Sequence, residues 1–281
     1  MVNSNAAMCS GLNTSKPRVA LVHDWLTGMR GGERCLEAFL KLYPDADVLT
    51  LLHKPGSCSP MIEERVTQTS FLQRIPGISK YYRLFLPLYP MAIKSLDTRG
   101  YDFVISLSHA AAKNVKIHSD TVHVSYCFTP MRYAWDQVQS YFGKITPLLW
   151  PILMALRKWD KRRSTSVDHF VSISRFVSAR IRCFYGRAST VIYPPVDTDW
   201  IPTTSAESPG EAFLYAGALV PYKRPDLAVR ACTELGLPLW VAGTGSEEER
   251  LRKIAGPSVK FLGRVSDEEL ASLYEIGRAH V

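Results

Sequence analysis

A glycine-bearing turn follows the first apolar run of this 281-residue chain. Residues 18–25, RVALVHDW, are rich in β-branched residues, which is typical of a buried strand. The turn spans residues 28–33, GMRGGE, and the helical pattern ERCLEAFLKLY follows it. Gly31 and Gly32 would let a ligand approach the backbone, and a helix N-terminus favours anions. The spacing is not GxGxxG and no acidic residue is placed for a ribose, so we expect a phosphate contact or a structural turn, not a dinucleotide site.

A histidine ends a later apolar run. His109 closes DFVISLSH, residues 102–109. Because ligands bind at the carboxyl ends of strands in an open parallel sheet, an imidazole there points towards the active-site crevice. His109 is therefore a candidate catalytic residue, with a hydrogen-bonded structural histidine as the alternative. His23, also at a strand end, is the weaker candidate.

A loop with one cation and two aromatic rings follows the next run, VHVSYC. It reads TPMRYAWD and contains Arg132, Tyr133 and Trp135. A guanidinium beside aromatic rings could stack on a sugar and bind a phosphate, and we expect this loop to lie on the acceptor side of the site. Simple loop packing is the alternative reading.

A second series of strand-to-helix turns lies between residues 213 and 273. Gly217 ends one strand pattern, Lys223 and Arg224 open the next helix, and Gly243 repeats the glycine at the following strand end. A helix N-terminus with two cations suits a diphosphate. Each turn is a weak signal alone, but their order is specific.

Two Asp-x-Asp triplets could in principle hold a divalent ion that bridges a diphosphate. Asp45 and Asp47 precede their predicted strand, and Asp197 and Asp199 stand at a linker. We therefore expect no metal site.

Apolar runs alternate with helical patterns over most of the chain, which predicts an α/β fold with parallel sheets. Residues 70–99 are irregular and aromatic instead, and we expect short helices there that are broken at Pro76, Pro87 and Pro90. A proline-rich and then Ser/Thr-rich stretch marks a boundary near residues 195–210. The predicted organisation is a disordered leader (1–16), a Rossmann-like domain (17–196), a linker (197–210), part of a second Rossmann-like domain (211–275) and a tail (276–281).

The net charge of +8 suits phosphate-bearing ligands, anionic lipid or nucleic acid. Five of the seven residues in 157–163 are Lys or Arg. The apolar run 146–156 that precedes them is too short to span a bilayer, and it predicts a core helix or a membrane-surface helix.

The six cysteines contain no CxxC pair and predict reduced thiols. The N-terminus shows no signal peptide, so we expect a cytoplasmic protein.

The combination GGERCLE, ISLSHA, TPMRYAWD, VSISRFV, VIYPPVD, GALVPYKRPDLAV, VAGTG and FLGRVSDEEL resembles glycosyltransferase family 4 over residues 18–274. The resemblance implies retaining enzymes of GT-B architecture, here a complete N-terminal Rossmann-like domain and about half of the C-terminal one. The likeness is nearest to mannosyltransferase-type members of bacterial polysaccharide and O-antigen assembly.

The resemblance assigns roles to individual residues. It implies that Gly31 and Gly32 lie against the donor and that His109 contacts the transferred sugar. It also implies that Lys223 neutralises the departing diphosphate. A loop of Gly263, Arg264 and Val265 would border the nucleotide base. No metal or other cofactor is implied.

Three departures from the family pattern affect the donor site. Ala218 stands where an arginine is common, and Phe128 where a histidine is common. An E-x7-E segment would follow residue 274. Residues 276–281, IGRAHV, match the translation of a sequencing adapter, ATC-GGA-AGA-GCA-CAC-GTC, so we expect a truncated chain with a non-native tail and an inactive donor site.

These observations predict transfer of a hexose, with mannose favoured, from a nucleotide-sugar to a glycan or lipid-linked acceptor. Peripheral contact with an anionic membrane at the inner face of the plasma membrane fits the charge, and nucleic-acid binding is ranked last. The alternatives are a non-catalytic nucleotide-binding or scaffold protein and a GT-B-fold nucleotide-sugar epimerase.

Overall fold

The computed structural model describes residues 16–198, 211–276 and 279–280. The chain divides into two compact units between Pro195 and Val196. Most of the predicted leader, Asp199, the linker from residue 199 onwards and part of the predicted tail lie outside the described residues.

Unit 1 contains a parallel sheet of seven strands in the order β3-β2-β1-β4-β5-β6-β7. The central strands are almost completely buried, as expected for a parallel sheet covered on both faces. The strands are β1 (Val19–His23), β2 (Asp47–Thr50), β3 (Val66–Thr69), β4 (Phe103–Ser108), β5 (Val122–Cys127), β6 (His169–Ser172) and β7 (Thr190–Val191).

The strand order creates a crevice. From β1 the chain builds outwards to β2 and β3, and then returns to β4 on the other side of β1. The loops that leave β1 and β4 therefore diverge, and this switch point is where ligands bind in open α/β sheets.

Helices cover both faces of this sheet. The amphipathic α1 buries Cys35, Leu36 and Leu40 against it. Ser174 caps the start of α7 by accepting the Val177 N–H, and Gly186 ends it at φ +70°. The α-helices are α1 (Gly31–Leu42), α2 (Pro60–Glu63), α3 (Ile78–Tyr81), α4 (Tyr89–Lys94), α5 (Val138–Phe142), α6 (Thr146–Arg163) and α7 (Arg175–Tyr185).

Short 3-10 helices connect these elements, and those between residues 71 and 94 form the irregular segment expected there. Pro87 lies inside one of them, and Pro90 lies in the first turn of α4. They span Phe71–Arg74, Tyr82–Leu88, Ala112–Asn114, Gly143–Ile145 and Ser164–Ser166.

A buried ionic network joins α6 to the crevice side of the sheet. The Asp160 carboxylate is fully buried and lies 2.7 Å from the Lys113 ammonium, which is 1% exposed. It also accepts hydrogen bonds from Asn114 Nδ2, Trp135 Nε1 and the Tyr185 hydroxyl. Burial and this carboxylate raise the pKa of Tyr185 well above its ordinary value of 10. The network is stable because each buried charge has several partners.

Unit 2 contains a parallel sheet in the order β10-β9-β8-β11. Its elements alternate as strand and helix, as the sequence predicts. They are β8 (Phe213–Ala216), a 3-10 helix (Pro221–Lys223), α8 (Pro225–Leu235), β9 (Leu239–Ala242), α9 (Glu248–Ile254), β10 (Val259–Gly263), α10 (Asp267–Ile276) and β11 (Ala279–His280).

None of the helices within the described ranges combines the length and the apolar character needed to cross a bilayer.

The buried network predicts a large stability effect. We expect Asp160→Asn to lower the free energy of unfolding by about 3–5 kcal/mol, because Lys113 is left buried without a counter-charge. Asp136→Asn is the matched control, since Asp136 pairs with Arg180 but its side chain is 35% exposed. Urea denaturation of both variants checks this, and equal losses would contradict it.

Candidate active site

Asp24 joins the carboxyl ends of β1 and β4. Its carboxylate is fully buried and accepts the four consecutive backbone N–H groups of residues 109–112, at 2.6–2.9 Å. Its Oδ2 also lies 3.0 Å from His109 Nδ1. One side chain therefore holds both the loop after β4 and the imidazole at its start.

The charge state of Asp24 follows from these contacts. Burial alone would favour the neutral acid, but the neighbouring His109 charge and the hydrogen bonds outweigh it and hold the pKa of Asp24 below its ordinary value of 3.8. The ionised carboxylate accepts the Nδ1 proton of His109. Nε2 of His109 then faces the crevice, with no hydrogen bond to any described residue.

The His109 ring is also positioned by aromatic contacts. Its centroid lies 4.5 Å from that of Trp25 in an edge-on arrangement, and 6.4 Å from those of His23 and Phe128. Its side chain is 22% exposed. These contacts leave one nitrogen of a fixed ring accessible.

His23 lies beneath the glycine turn. Its Nδ1 donates to the Trp25 carbonyl at 3.1 Å, because a carbonyl can only accept. Burial lowers the pKa of His23 despite the opposing charges of Glu33 and Asp24, so the ring is neutral at pH 7. Its buried Nε2 has no partner among the described residues. It would lie only 3.3 Å from a Cβ built on Gly32, so a small residue is needed there.

The N-terminus of α1 faces the same end of the sheet. Gly31 has open space where a Cβ would stand, and the first N–H groups of a helix have no intrahelical acceptor. Glu33 accepts the Arg30 N–H at 3.1 Å and so occupies part of the helix end. The amides of Gly31 and Gly32, where the sequence predicts a donor contact, therefore have no acceptor among the described residues.

A basic cleft opens near this site. It has a volume of about 480 Å³ and brings together Arg30, Lys54 and Lys80, none of which has an ion-pair partner in the described part of the chain. Tyr82 forms one wall and packs 4.8 Å from Trp25, the residue that contacts His109. The sequence did not indicate this cluster of three cations.

In the loop predicted for the acceptor side, the two aromatic rings pack within the protein, whereas the arginine does not form a hydrogen bond with any described residue. Tyr133 is buried and packs on Tyr141 at 4.5 Å, while Trp135 donates to Asp160 and stacks on Phe184. Both rings thus have packing roles. The guanidinium of Arg132 is half-buried and has no hydrogen-bond partner among the described residues.

The cations of unit 2 differ in their availability. Arg224 adopts a left-handed conformation at φ +52° and forms two hydrogen bonds with the Asp226 carboxylate, at 2.9 and 3.0 Å. This pair lowers the pKa of Asp226 and satisfies much of the Arg224 charge. Lys223 is exposed and has no ion-pair partner within the described residues. Ala218, also exposed, contributes no charge.

The glycines of unit 2 pack the strand-end loops together. A Cβ on Gly243 would lie 1.9 Å from the Gly217 carbonyl oxygen, and Gly243 has φ +135°. Gly243 N–H donates to Gly263, which itself has φ +72°. Arg264 is exposed and Val265 is half-buried beside them. Gly243 and Gly263 are therefore required by the backbone, whether or not a ligand binds, whereas a Cβ on Gly217 would meet only the Tyr215 ring at 3.8 Å.

The first Asp-x-Asp triplet has structural contacts. Asp47 begins β2 and accepts the Tyr101 hydroxyl at 2.7 Å, and Asp45 pairs with Lys16. Both lie at the amino end of the strand, opposite the crevice. Of the second triplet only Asp197 is described. No group of three or more His, Cys, Asp or Glu residues suited to a metal ion occurs in the described ranges.

Sequence reasoning missed Asp24. A signal was present, because an acidic residue directly follows the first buried strand, at the switch point that the strand order creates. Its partners are more than 80 residues away, so only the fold reveals them.

Comparisons with known proteins extend these observations. The Anabaena protein HepE in complex with UDP is similar at a TM-score of 0.61 and 14% identity, over 89% of this chain and 70% of that chain. The apo lipopolysaccharide outer core galactosyltransferase WaaB is similar at a TM-score of 0.51 and 17% identity, over 94% of this chain and 73% of that chain. No curated protein sequence matches.

The fold is thus the α/β GT-B fold, with two Rossmann-like units. The family description Glycosyltransferase Family 4 matches residues 29–200, which is more than half of the chain. The chain belongs to glycosyltransferase family 4.

Proposed function

We propose that the function of this protein is the transfer of a hexose, with mannose as the first candidate, from a nucleotide-sugar to a phosphate-bearing glycan or lipid-linked acceptor. The observation that carries the proposal is the arrangement of Asp24 and His109 at the switch point of unit 1. One fixed imidazole nitrogen lies at the same end of the sheet as the Gly31 and Gly32 amides, which have no acceptor within the described part of the chain. This combination suits a sugar hydroxyl next to a phosphate.

The proposed reaction retains configuration at the sugar. The acceptor oxygen forms a bond to the anomeric carbon on the face from which the nucleoside diphosphate leaves, and the acceptor proton passes to a diphosphate oxygen. His109 Nε2 binds a hydroxyl of the transferred sugar. Lys223 stabilises the charge that develops on the diphosphate, which is the main electrostatic demand of such a step.

The proposed acceptor side uses the basic cleft. Arg30, Lys54 and Lys80 provide three cations that form no ion pair with any described residue, which favours a phosphorylated acceptor. Arg132 remains a proposed acceptor contact, whereas Tyr133 and Trp135 would act through packing. A lipid-linked acceptor would place the protein at the inner face of the plasma membrane.

No metal is proposed for this reaction. The described carboxylates of the Asp-x-Asp triplets do not support a diphosphate-bridging ion, since Asp45 and Asp47 lie at the amino end of β2. A lysine ammonium can neutralise the diphosphate charge in place of a metal ion.

A donor panel tests the proposal. We expect the 281-residue chain to bind one nucleotide-sugar in calorimetry, and EDTA to leave the affinity unchanged. Turnover with a diphosphate-bearing acceptor is expected to be low, because Ala218 supplies no second cation. Failure to bind any nucleotide-sugar would reject the proposal, and conversion of the sugar to its epimer would favour the epimerase alternative.

Asp24→Asn tests the positioning of His109. The amide cannot serve the same five donors, so we expect the free energy of unfolding to fall by about 2–4 kcal/mol. Affinity for the nucleotide-sugar should approach that for the nucleotide alone. Nitrogen NMR of the His109 ring should show loss of the fixed Nδ1–H tautomer. Asp102→Asn, at an exposed carboxylate that accepts the Arg18 N–H, is the control.

The same variant has a defined pH dependence. Since the pKa of Asp24 is lower in the folded chain than its ordinary value of 3.8, its contribution to stability is present above that value and is lost as the pH falls further. Denaturant titrations should therefore show a smaller stability difference between wild type and Asp24→Asn in acid than at neutral pH. A constant difference would contradict the assignment.

Lys223→Ala and Arg224→Ala separate the two cations of unit 2. We expect Lys223→Ala to weaken diphosphate binding about tenfold, roughly 1.4 kcal/mol, because this ammonium has no ion-pair partner in the described ranges and is free to bind the diphosphate. Arg224→Ala should weaken binding less, since its guanidinium is held by Asp226. Calorimetry with the nucleoside diphosphate measures both, and the reverse order would contradict the assignment.

A further inference from the structure

The first half of α6 exposes large apolar side chains. Leu148 is 80% exposed, Trp150 47%, Ile152 41% and Met154 44%. The nine residues 147–155, PLLWPILMA, carry no charged side chain. A surface helix normally has polar residues on its outward face, so this face is unusual.

The core contacts of α6 account for only one side of the helix. Leu153, Leu156 and Asp160 are buried at spacings of three and four residues, which places them on a single stripe. The sequence allowed either a core helix or a membrane-surface helix. The structure shows that packing against unit 1 covers the inner stripe and leaves the outer apolar residues exposed, with the Arg157 guanidinium 5.0 Å from the Trp150 ring centroid and 3.7 Å from the Met154 sulfur.

Exposed cations flank the apolar face. Lys144 precedes it, and Lys158, Lys161 and Arg162 follow it within the last two turns of α6. The only acidic residue of the helix is Asp160, which is fully buried and paired with Lys113. The exposed charge along α6 is therefore entirely positive.

Two other arginines of this segment form hydrogen bonds with backbone carbonyls of unit 1. Arg157 donates to the carbonyls of Ala134 and Trp135, and Arg163 donates to the Val115 carbonyl. These bonds hold the C-terminal half of α6 on the protein, so the flanking cations project from a fixed helix.

We propose that α6 is an interfacial helix that docks unit 1 on an anionic bilayer. Leu148, Trp150, Ile152 and Met154 would enter the boundary between headgroups and acyl chains, where tryptophan is favoured. The flanking lysines and Arg162 would contact anionic headgroups. Charge complementarity selects the occupant, because an uncharged apolar partner would not require cations at both ends of the face.

Vesicle sedimentation tests this docking surface independently of sugar transfer. We expect the chain to pellet with vesicles of phosphatidylcholine and phosphatidylglycerol but not with phosphatidylcholine alone, and added salt to weaken binding. Absence of binding to the anionic vesicles would overturn the proposal.

Paired variants locate the surface. Leu148→Ser with Ile152→Ser should weaken vesicle binding at least tenfold. Leu42→Ser with Leu235→Ser should leave it unchanged, because these leucines are 72% and 70% exposed on α1 and α8. Thermal unfolding should confirm that both variants fold.

A second pair tests the charges. Lys158→Gln with Lys161→Gln should reduce both the affinity and its salt dependence, whereas Lys41→Gln with Lys253→Gln, at exposed lysines of α1 and α9, should change them much less. If both double variants lost the same vesicle affinity, the net charge of the protein would explain the binding, and the assignment to α6 would be overturned. A change of oligomeric state on substitution of Leu148 and Ile152, without vesicle binding, would assign the face to a second copy instead.

Discussion

The Asp24 carboxylate is the constraint on which the crevice depends. A buried charge is costly unless it is fully hydrogen-bonded, and here four backbone amides and one imidazole serve a single carboxylate. The bonds join β1 to the loop after β4, the two strands whose divergence opens the site. The orientation of His109 follows from the same bonds, so the fold and the candidate chemistry share one interaction.

The loop held by Asp24 leads directly into the second buried network. Ala112 donates to Asp24, and the next residue, Lys113, pairs with Asp160 of α6. Asp160 in turn binds Trp135, so the loop expected at the acceptor side is anchored by the helix. This anchoring is strongest in the C-terminal half of α6. The N-terminal half packs through a narrow apolar stripe, which explains how its outer apolar face stays exposed.

The strand-end glycines of unit 2 can be explained either by backbone packing or by ligand binding. Gly243 and Gly245 are needed because neighbouring backbones approach too closely for a Cβ, and Gly263 adopts a φ of +72° that favours glycine. The glycines therefore identify the fold more directly than they identify a ligand. The adjacent cations are more informative, because Arg224 is hydrogen-bonded to Asp226, whereas Lys223 forms no ion pair with any described residue.

Periodicity and composition by themselves determined the α/β alternation, the strands β1, β4 and β5, the short helices between residues 71 and 94, and His109 as a strand-end residue, because these patterns report burial along the chain. They missed β3, whose polar sequence VTQT belongs to an edge strand with one covered face. They also left α6 ambiguous and gave no role to Asp24. Only the tertiary structure decided these points, since partners more than 80 residues apart and the uncovered side of a helix depend on how elements pack, which local patterns do not encode.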